Sequence, residues 1–336
     1  MDALIHNYLI SFPTIVLLII TFVTLYTLGK GADILVDEAV SLSVHLGISK
    51  MIIGATIVSL GTTLPEVTVS VFAALKGNPG LALGNAVGSI IADTGLIIGL
   101  AAMIGKLPVD QMTIDRQGKL QTLSVILLAV VCLPFFSVGN RRMGIIPQWM
   151  GFIFLILLVL YLYVSLKWAK ASKSEDDTIK EEQKPVILQI ILMVLGITLI
   201  IISSKILIPS VEITAIRIGI PQSIIAATLV AFGTSLPELI TAITAVRKGH
   251  GELAIGNIVG ADILNVLFVV GSAASFTKQG LGVPMNFYKL QIPAMLIIVL
   301  AFRHFCKNKG DAISKKEGIF LAGTYFVYIL LCFLWI

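Results

Sequence analysis

The sequence predicts an all-α membrane protein of ten transmembrane helices in two inverted five-helix repeats, with helices two and seven broken where they carry polar side chains. Three observations lead there. Of the 336 residues, 57% are hydrophobic and only 13% charged, and the mean hydropathy of +0.99 lies outside the range of a water-soluble domain. The apolar residues fall into ten separate stretches. One long segment, Ala55 to Gly99, recurs as Ala227 to Gly271 with its polar residues in register.

A bilayer core about 30 Å thick takes roughly 20 apolar residues per helix. The stretches run from 12 to 31, 47 to 76, 81 to 104, 120 to 138, 148 to 166, 186 to 207, 221 to 248, 253 to 274, 288 to 305 and 317 to 336. The first lacks a basic leader and a small-residue cleavage site, so it reads as a retained span. Lys and Arg gather on the cytoplasmic side of membrane proteins. Alternating the ten spans puts 17 of the 24 basic residues on one face, including five lysines between 167 and 184. Both termini are therefore expected outside and the 167–184 loop in the cytoplasm. That loop mixes acidic and basic residues, as a solvated connector does. The expected organisation is a first half over 1–166, a linker over 167–185 and a second half over 186–336. Cys132, Cys306 and Cys332 show no metal-ligand spacing and read as inert thiols in or beside apolar spans. The net charge of +5 is spread over loops and forms no nucleic-acid-binding stripe.

The repeat keeps a constant offset of 172 without a gap, pairing Gly61 with Gly233, Thr62 with Thr234, Pro65 with Pro237, Glu66 with Glu238, Asn85 with Asn257, and Gly88 with Gly260. Lipid-facing hydrophobicity alone cannot produce such a polar register. The copies begin in spans two and seven, and an odd offset of five reverses the direction of crossing. Inverted repeats of this kind belong to secondary transporters, whose sites lie near the midplane where the halves meet.

Glu66 and Glu238 each sit mid-span, where an ionised carboxylate costs at least ~2.5 kcal/mol. Neither repeat places a Lys or Arg near them in depth, which leaves as partner a bound cation, or a proton and hydrogen bonds if the two glutamates are structural. Asp93 and Asn265 lie 27 residues after the two glutamates, and in an antiparallel repeat the four side chains converge. Ca2+ takes six to eight such oxygens. Thr62, Thr63, Thr234 and Ser235 precede the glutamates by about one helical turn, as ion ligands or as interhelical hydrogen bonders. Pro65 and Pro237, lacking an N–H, free the carbonyls of Gly61 and Gly233 for an ion, if they are more than packing kinks. Gly84, Gly88, Gly256 and Gly260 are spaced for close helix packing. No His or Cys stands at these positions, which disfavours zinc and copper. Asp33, Asp37 and Glu38 read as interfacial residues, or as a cation-attracting mouth.

The arrangement GTTLPE…GNAVGSIIAD, answered by GTSLPE…GNIVGADILN, resembles the two α-repeats of the cation/calcium exchanger superfamily, particularly its prokaryotic sodium/calcium exchangers. The resemblance covers nearly the whole chain. It implies a plasma-membrane antiporter of a prokaryote, functional as a monomer, that exchanges Ca2+ for Na+ by alternating access and needs no cofactor. It implies that Glu66 and Glu238 bind Ca2+ and Na+ in turn, that Thr62, Thr63, Thr234 and Ser235 supply hydroxyl and carbonyl ligands, that Ser89 is a peripheral Na+ ligand, and that Asp93 and Asn265 form the central polar pair. Two departures stand out. The family's Asn and Asp at that pair are exchanged here, and Ala261 followed by Asp262 replaces the expected Ser-Asn.

Within the superfamily, a Ca2+/H+ antiporter usually carries Glu where this chain has Gly88 and Gly260, and a K+-dependent exchanger differs by single residues. From another class, a cation channel accounts for buried acids without an obligatory counter-ion. An enzyme is not expected: Asp93 and Asp262 lack the motif of an intramembrane aspartyl protease, which leaves the glutamates unexplained.

Overall fold

The structure is a computed structural model and describes residues 2–134, 144–171, 184–219, 233–307 and 312–334. It is helical apart from four two-residue strands. In chain order the helices are α1 (Asp2–Leu9), α2 (Thr14–Leu46), α3 (Lys50–Thr62), α4 (Leu64–Leu75), α5 (Pro79–Ile104), α6 (Gln111–Val131), α7 (Gln148–Ala171), α8 (Val186–Arg217), α9 (Leu236–Arg247), α10 (Gly251–Ser275), α11 (Phe287–Lys307) and α12 (Lys315–Leu334). The strands are β1 (Leu107–Pro108), β2 (Ile145–Ile146), β3 (Leu281–Gly282) and β4 (Ala312–Ile313).

Among the described residues, seven helices are long and apolar enough to cross a membrane, and eight if α3 and α4 form one bent span. The chain is thus an α-helical membrane protein. Two expected spans differ for visible reasons. The fourth is expected at 120 to 138, but α6 begins at Gln111, because the Asp110 carboxylate caps the backbone N–H of Met112 at 3.1 Å and starts the helix in a polar stretch. The seventh is expected at 221 to 248, and its first half lies outside the described residues, as does most of the 167–184 linker. The first and sixth stretches underestimate their helices: α2 has 33 residues and α8 has 32. At 1.5 Å per residue each is about 50 Å long, so both exceed the hydrocarbon thickness.

Burial separates core from periphery. The most apolar windows of α10 and α5 are 94% and 78% buried, against 28% for α2, α7, α8 and α12. Lipid faces the latter four, and the two central helices carry Asn265 and Asp93. The core forms by backbone approach. A Cβ at Gly256 would stand 2.1 Å from the Met51 carbonyl oxygen, and one at Gly260 only 2.4 Å from that of Ala55. These glycines therefore press α10 against α3, as their spacing predicts. Among the described residues a Cβ at Gly84 would meet only the Phe287 ring, at 3.8 Å, and one at Gly88 nothing within 4 Å.

The repeat is legible in the backbone. Gly47 and Gly219 both adopt positive φ, at 62° and 87°, and so do Gly77 and Gly249, at 77° and 80°. Each pair is separated by the same 172 residues as the motifs, so equivalent turns end equivalent helices. At one end of the bundle β1 pairs antiparallel with β4; elsewhere β2 pairs with β3. The end bearing β1 also holds Gly251, packed on Lys106, and Lys248, which bridges Asp33 at 3.1 Å and Asp37 at 2.8 Å. Glu38, expected at the interface, is buried and pairs with Lys184.

Candidate ion-binding site

The site begins with a broken helix. Pro65 has no N–H to offer the Gly61 carbonyl, and α3 and α4 meet at Thr63 with a bend of 44°. The second helix restarts with the proline in its first turn and Glu66 directly behind it. In the other half α9 begins in the same way, with Pro237 in its first turn and Glu238 behind it. Thr63 and Ser235 are the equivalent residues before α4 and α9, with φ, ψ of −79°, −4° and −83°, 9°. Gly233 and Thr234 immediately precede Ser235, and the chain upstream of Gly233 lies outside the described residues. Asp93 and Asn265 fall in a third repeated irregularity. Each lies in a π-helical turn, Ala92–Ile97 in α5 and Asn265–Val270 in α10. Such turns widen the helix and leave a carbonyl without its usual partner, a common device at functional sites.

These elements bury the expected side chains and bring the acids among them together. Glu66, Glu238, Asp93, Asn265, Thr62, Thr63, Ser235 and Ser89 are all buried, with Thr234 partly so. Asp93 is the acidic neighbour of Glu66, Glu66 that of Glu238, and Glu238 and Asp262 those of Asp93. No lysine or arginine acts on any of the four acids among the described residues. The acids stand pairwise around the cluster, and no three of them converge at metal-ligand distance among the described residues. Ser89 lies one turn before Asp93 on α5.

The cluster gathers polar atoms that hydrogen bonding does not satisfy. Both carboxylate oxygens of Glu66, one of Glu238, the Asp93 Oδ1, the Asn265 Oδ1 and the hydroxyls of Thr63 and Ser235 have no hydrogen-bond partner among the described residues. Buried polar groups are almost always paired, because an orphan costs about 1–3 kcal/mol. All of these orphans are oxygens, and lone pairs grouped in a dry interior suit a hard cation such as Ca2+.

Two residues the motif reading had taken only as matched positions prove central. The Thr62 hydroxyl donates to the Asn257 Oδ1 at 3.4 Å, and the Thr234 hydroxyl donates to the Asn85 Oδ1 at 3.1 Å. Each bond joins the broken span of one half to the central helix of the other, and the offset of 172 carries one onto the other. The Asn85 amide also donates to the Glu66 carbonyl at 3.2 Å and to Ser70 Oγ at 3.0 Å, fixing α4 against α5. Their signal was the G-N pair itself, a polar residue in an apolar helix at matched positions. Gln121 had none, since it stands outside the repeat motifs: its Nε2 donates to Asp262 Oδ2 at 2.6 Å, and Thr94 donates to the same oxygen.

Comparison with known proteins agrees with this geometry. The sequence model of the family described as "Sodium/calcium exchanger protein" matches residues 15–167 and 188–334. The chain is 33% identical over 311 residues to the inner membrane protein YrbG of Escherichia coli, covering 90% of this chain and 92% of that one. It is 27% identical over 346 residues to the sodium/calcium exchanger MaX1 of Methanosarcina acetivorans, covering 94% and 98%. Its fold is similar to that of the sodium-calcium exchanger NCX_Mj soaked with zero Na+ and Ca2+, with a TM-score of 0.80, 26% identity and coverage of 95% and 100%. For the form soaked with 2.5 mM Na+ and 0.1 mM Ca2+ the values are 0.78, 27%, 94% and 98%. The chain belongs to the sodium/calcium exchanger family: it is an integral membrane cation/Ca2+ exchanger, a transporter and not an enzyme.

Proposed function

We propose that the chain exchanges Ca2+ for Na+ by alternating access, with Glu66, Glu238, Asp93 and Asn265 as the central ligands. Thr62, Thr63, Thr234, Ser235 and the carbonyls of Gly61 and Gly233 complete the cage, and Ser89 serves a peripheral Na+. One observation carries the reading: among the described residues, buried acids from both halves face one another without a basic partner and with carboxylate oxygens that no hydrogen bond satisfies. With Glu66, Glu238 and Asp93 ionised, the cage holds three negative charges, nearly balanced by one Ca2+ and fully by three Na+. The empty, charged cage resists crossing a low-dielectric barrier, whereas either filled form crosses more readily. Neutral Asn265 and charged Asp93 exchange the family's usual halves, which preserves the net charge.

The cage belongs, in this reading, to ten spans in two inverted halves, 1–166 and 186–336, joined by a cytoplasmic linker, with both termini outside. Two facts support the inversion. A rotation exchanging the halves carries the β1–β4 pair onto the β3–β2 pair. It also carries the contact of Thr27 of α2 with Ser203 of α8, a hydrogen bond of 2.7 Å, onto that of Leu199 with Gly31, where a Cβ on Gly31 would lie 3.0 Å from the Leu199 Cβ. The long α2–α8 pair then moves against the site helices to open the cage to alternate sides.

Uptake of radiolabelled Ca2+ into proteoliposomes with an outward Na+ gradient tests the reading. Uptake that follows the Na+ gradient is expected. Uptake indifferent to Na+ but driven by a pH or K+ gradient replaces Na+ as counter-ion, and ion flux at channel rates with no counter-ion overturns exchange itself.

A further inference from the structure

Beside the cage lies a polar group that the exchange reading does not use. Asp262 is fully buried in α10 and follows Ala261, where the first repeat has Ser89 and Ile90. The substitution therefore removes a hydroxyl and supplies a carboxylate at the next position along the helix. That carboxylate does not face lipid: Thr94 of α5 and Gln121 of α6 both donate to its Oδ2, and Asp93 of the cage is its acidic neighbour.

The donors occupy only half of it. Among the described residues Asp262 Oδ1 has no partner, and neither has the Gln121 Oε1, although Gln121 is fully buried. One turn earlier on the same face of α6, Gln117 is also fully buried, spends its amide N–H on Ser165 at 3.1 Å and leaves its own Oε1 unpartnered among the described residues. Three orphaned acceptors on facing helices, with no basic side chain acting on Asp262 among the described residues, call for a positive charge. A Ca2+ ion is poorly matched, because it draws on several carboxylates among six to eight oxygens. One carboxylate surrounded by amide and hydroxyl oxygens balances a single charge.

We propose that Asp262, with the Gln121 carbonyl oxygen and the Thr94 hydroxyl, forms a monovalent-cation subsite beside the cage, occupied by Na+ and assembled in place of a hydroxyl ligand lost at Ala261. The inference rests on the exchange reading, since it adds one Na+ to the ions the cage handles. Occupation of the subsite places a positive charge next to Asp93, so Na+ there and Ca2+ in the cage repel one another, which couples release of one to arrival of the other.

The test uses the purified full chain in detergent micelles, with radiolabelled Na+ bound at equilibrium and radiolabelled Ca2+ as a parallel probe. Asp262→Asn is expected to bind one Na+ equivalent fewer than the wild type while still binding Ca2+. Thr94→Val, a change of one hydroxyl for one methyl, is expected to weaken one Na+ equivalent by about tenfold and carries the test if Asp262→Asn fails to fold. Unaltered Na+ binding in the folded variants overturns the subsite and leaves Asp262 a hydrogen-bonded packing residue. The two readings fail separately. A wild-type chain that moves no Ca2+ against Na+ in proteoliposomes refutes exchange, whereas intact exchange with unchanged Na+ equivalents in both variants refutes only the subsite.

Discussion

Gly260→Ala tests whether the helix contact at the core sets the geometry of the cage. The added Cβ would meet the Ala55 carbonyl oxygen at 2.4 Å and the Ser59 Oγ at 2.5 Å. Ordinary contact begins at 3.4 Å, so α10 and α3 must part by about 1 Å, the difference between 3.4 Å and 2.4 Å. The Ala55 oxygen cannot simply swing aside, because it also accepts the Tyr161 hydroxyl at 2.6 Å. Overpacking of this kind costs about 1–3 kcal/mol, which a well-packed core survives. Function is less tolerant. The same displacement stretches the Thr62–Asn257 bond beyond its 3.4 Å and moves the α10 ligands relative to those of the broken span, while metal–oxygen distances tolerate only about 0.2 Å. The expected outcome is a monodisperse, folded protein whose Ca2+ affinity falls by on the order of tenfold or more. The assay is Ca2+ titration calorimetry on purified protein, with Gly323→Ala as control, since a Cβ at Gly323 meets nothing within 4 Å among the described residues. Wild-type Ca2+ affinity in folded Gly260→Ala would refute the argument that this contact positions the ligands.

Glu66→Gln and Glu238→Gln are each expected to lower Ca2+ affinity by about a hundredfold through loss of one ligand charge, abolishing gradient-driven uptake while gel filtration shows an intact chain. Asn85→Ala is expected to reduce thermal stability by about 1–3 kcal/mol, and Asn257→Ala by less: Asn85 bonds Glu66, Ser70 and Thr234, whereas the Asn257 amide nitrogen is already unpartnered among the described residues. Equal melting temperatures for the two variants would count against the hydrogen bonds described. At the polar start of α6, the hydrogen bond from Arg303 holds the Asp115 carboxyl below its usual range, with some opposition from burial. A depressed carboxylate stabilises the fold above its unfolded value and loses that contribution as pH falls through the folded value. Asp115→Asn is therefore expected to flatten the acid limb of the stability profile, and a limb unchanged from wild type would exclude the contribution.

Much of this was legible because a membrane simplifies the code. In an apolar background each polar residue stands out, so Glu66, Asp93, Glu238 and Asn265 could be picked from the repeat and are found buried together. Pro65 announced the bend at Thr63 through a missing N–H. What escaped has equally physical causes. The ends of α2 and α8 were missed because helices continue past the hydrocarbon whenever their residues permit it, and hydropathy reports only the apolar part. The start of α6 was set by an aspartate cap in a stretch too polar to read as a span. Gln121 was invisible because its partner lies 141 residues away, a pairing that neither periodicity nor spacing encodes. The π-helical turns at Asp93 and Asn265 carry no sequence mark of their own; they became recognisable only as matched irregularities.

Where α2 crosses α8, Gly31 and Gly196 bring two backbones together with no side chain between them. So close a crossing also seats Leu199 and Ile200 against Gly31 and Leu35 against Gly196, and hydrogen bonds between Thr27 and Ser203 and from Gln189 to Ser41 tie the two helices along their length, so α2 and α8 form one strut. In the exchange reading proposed above, bulk introduced at either glycine would part that strut and is expected to slow ion exchange.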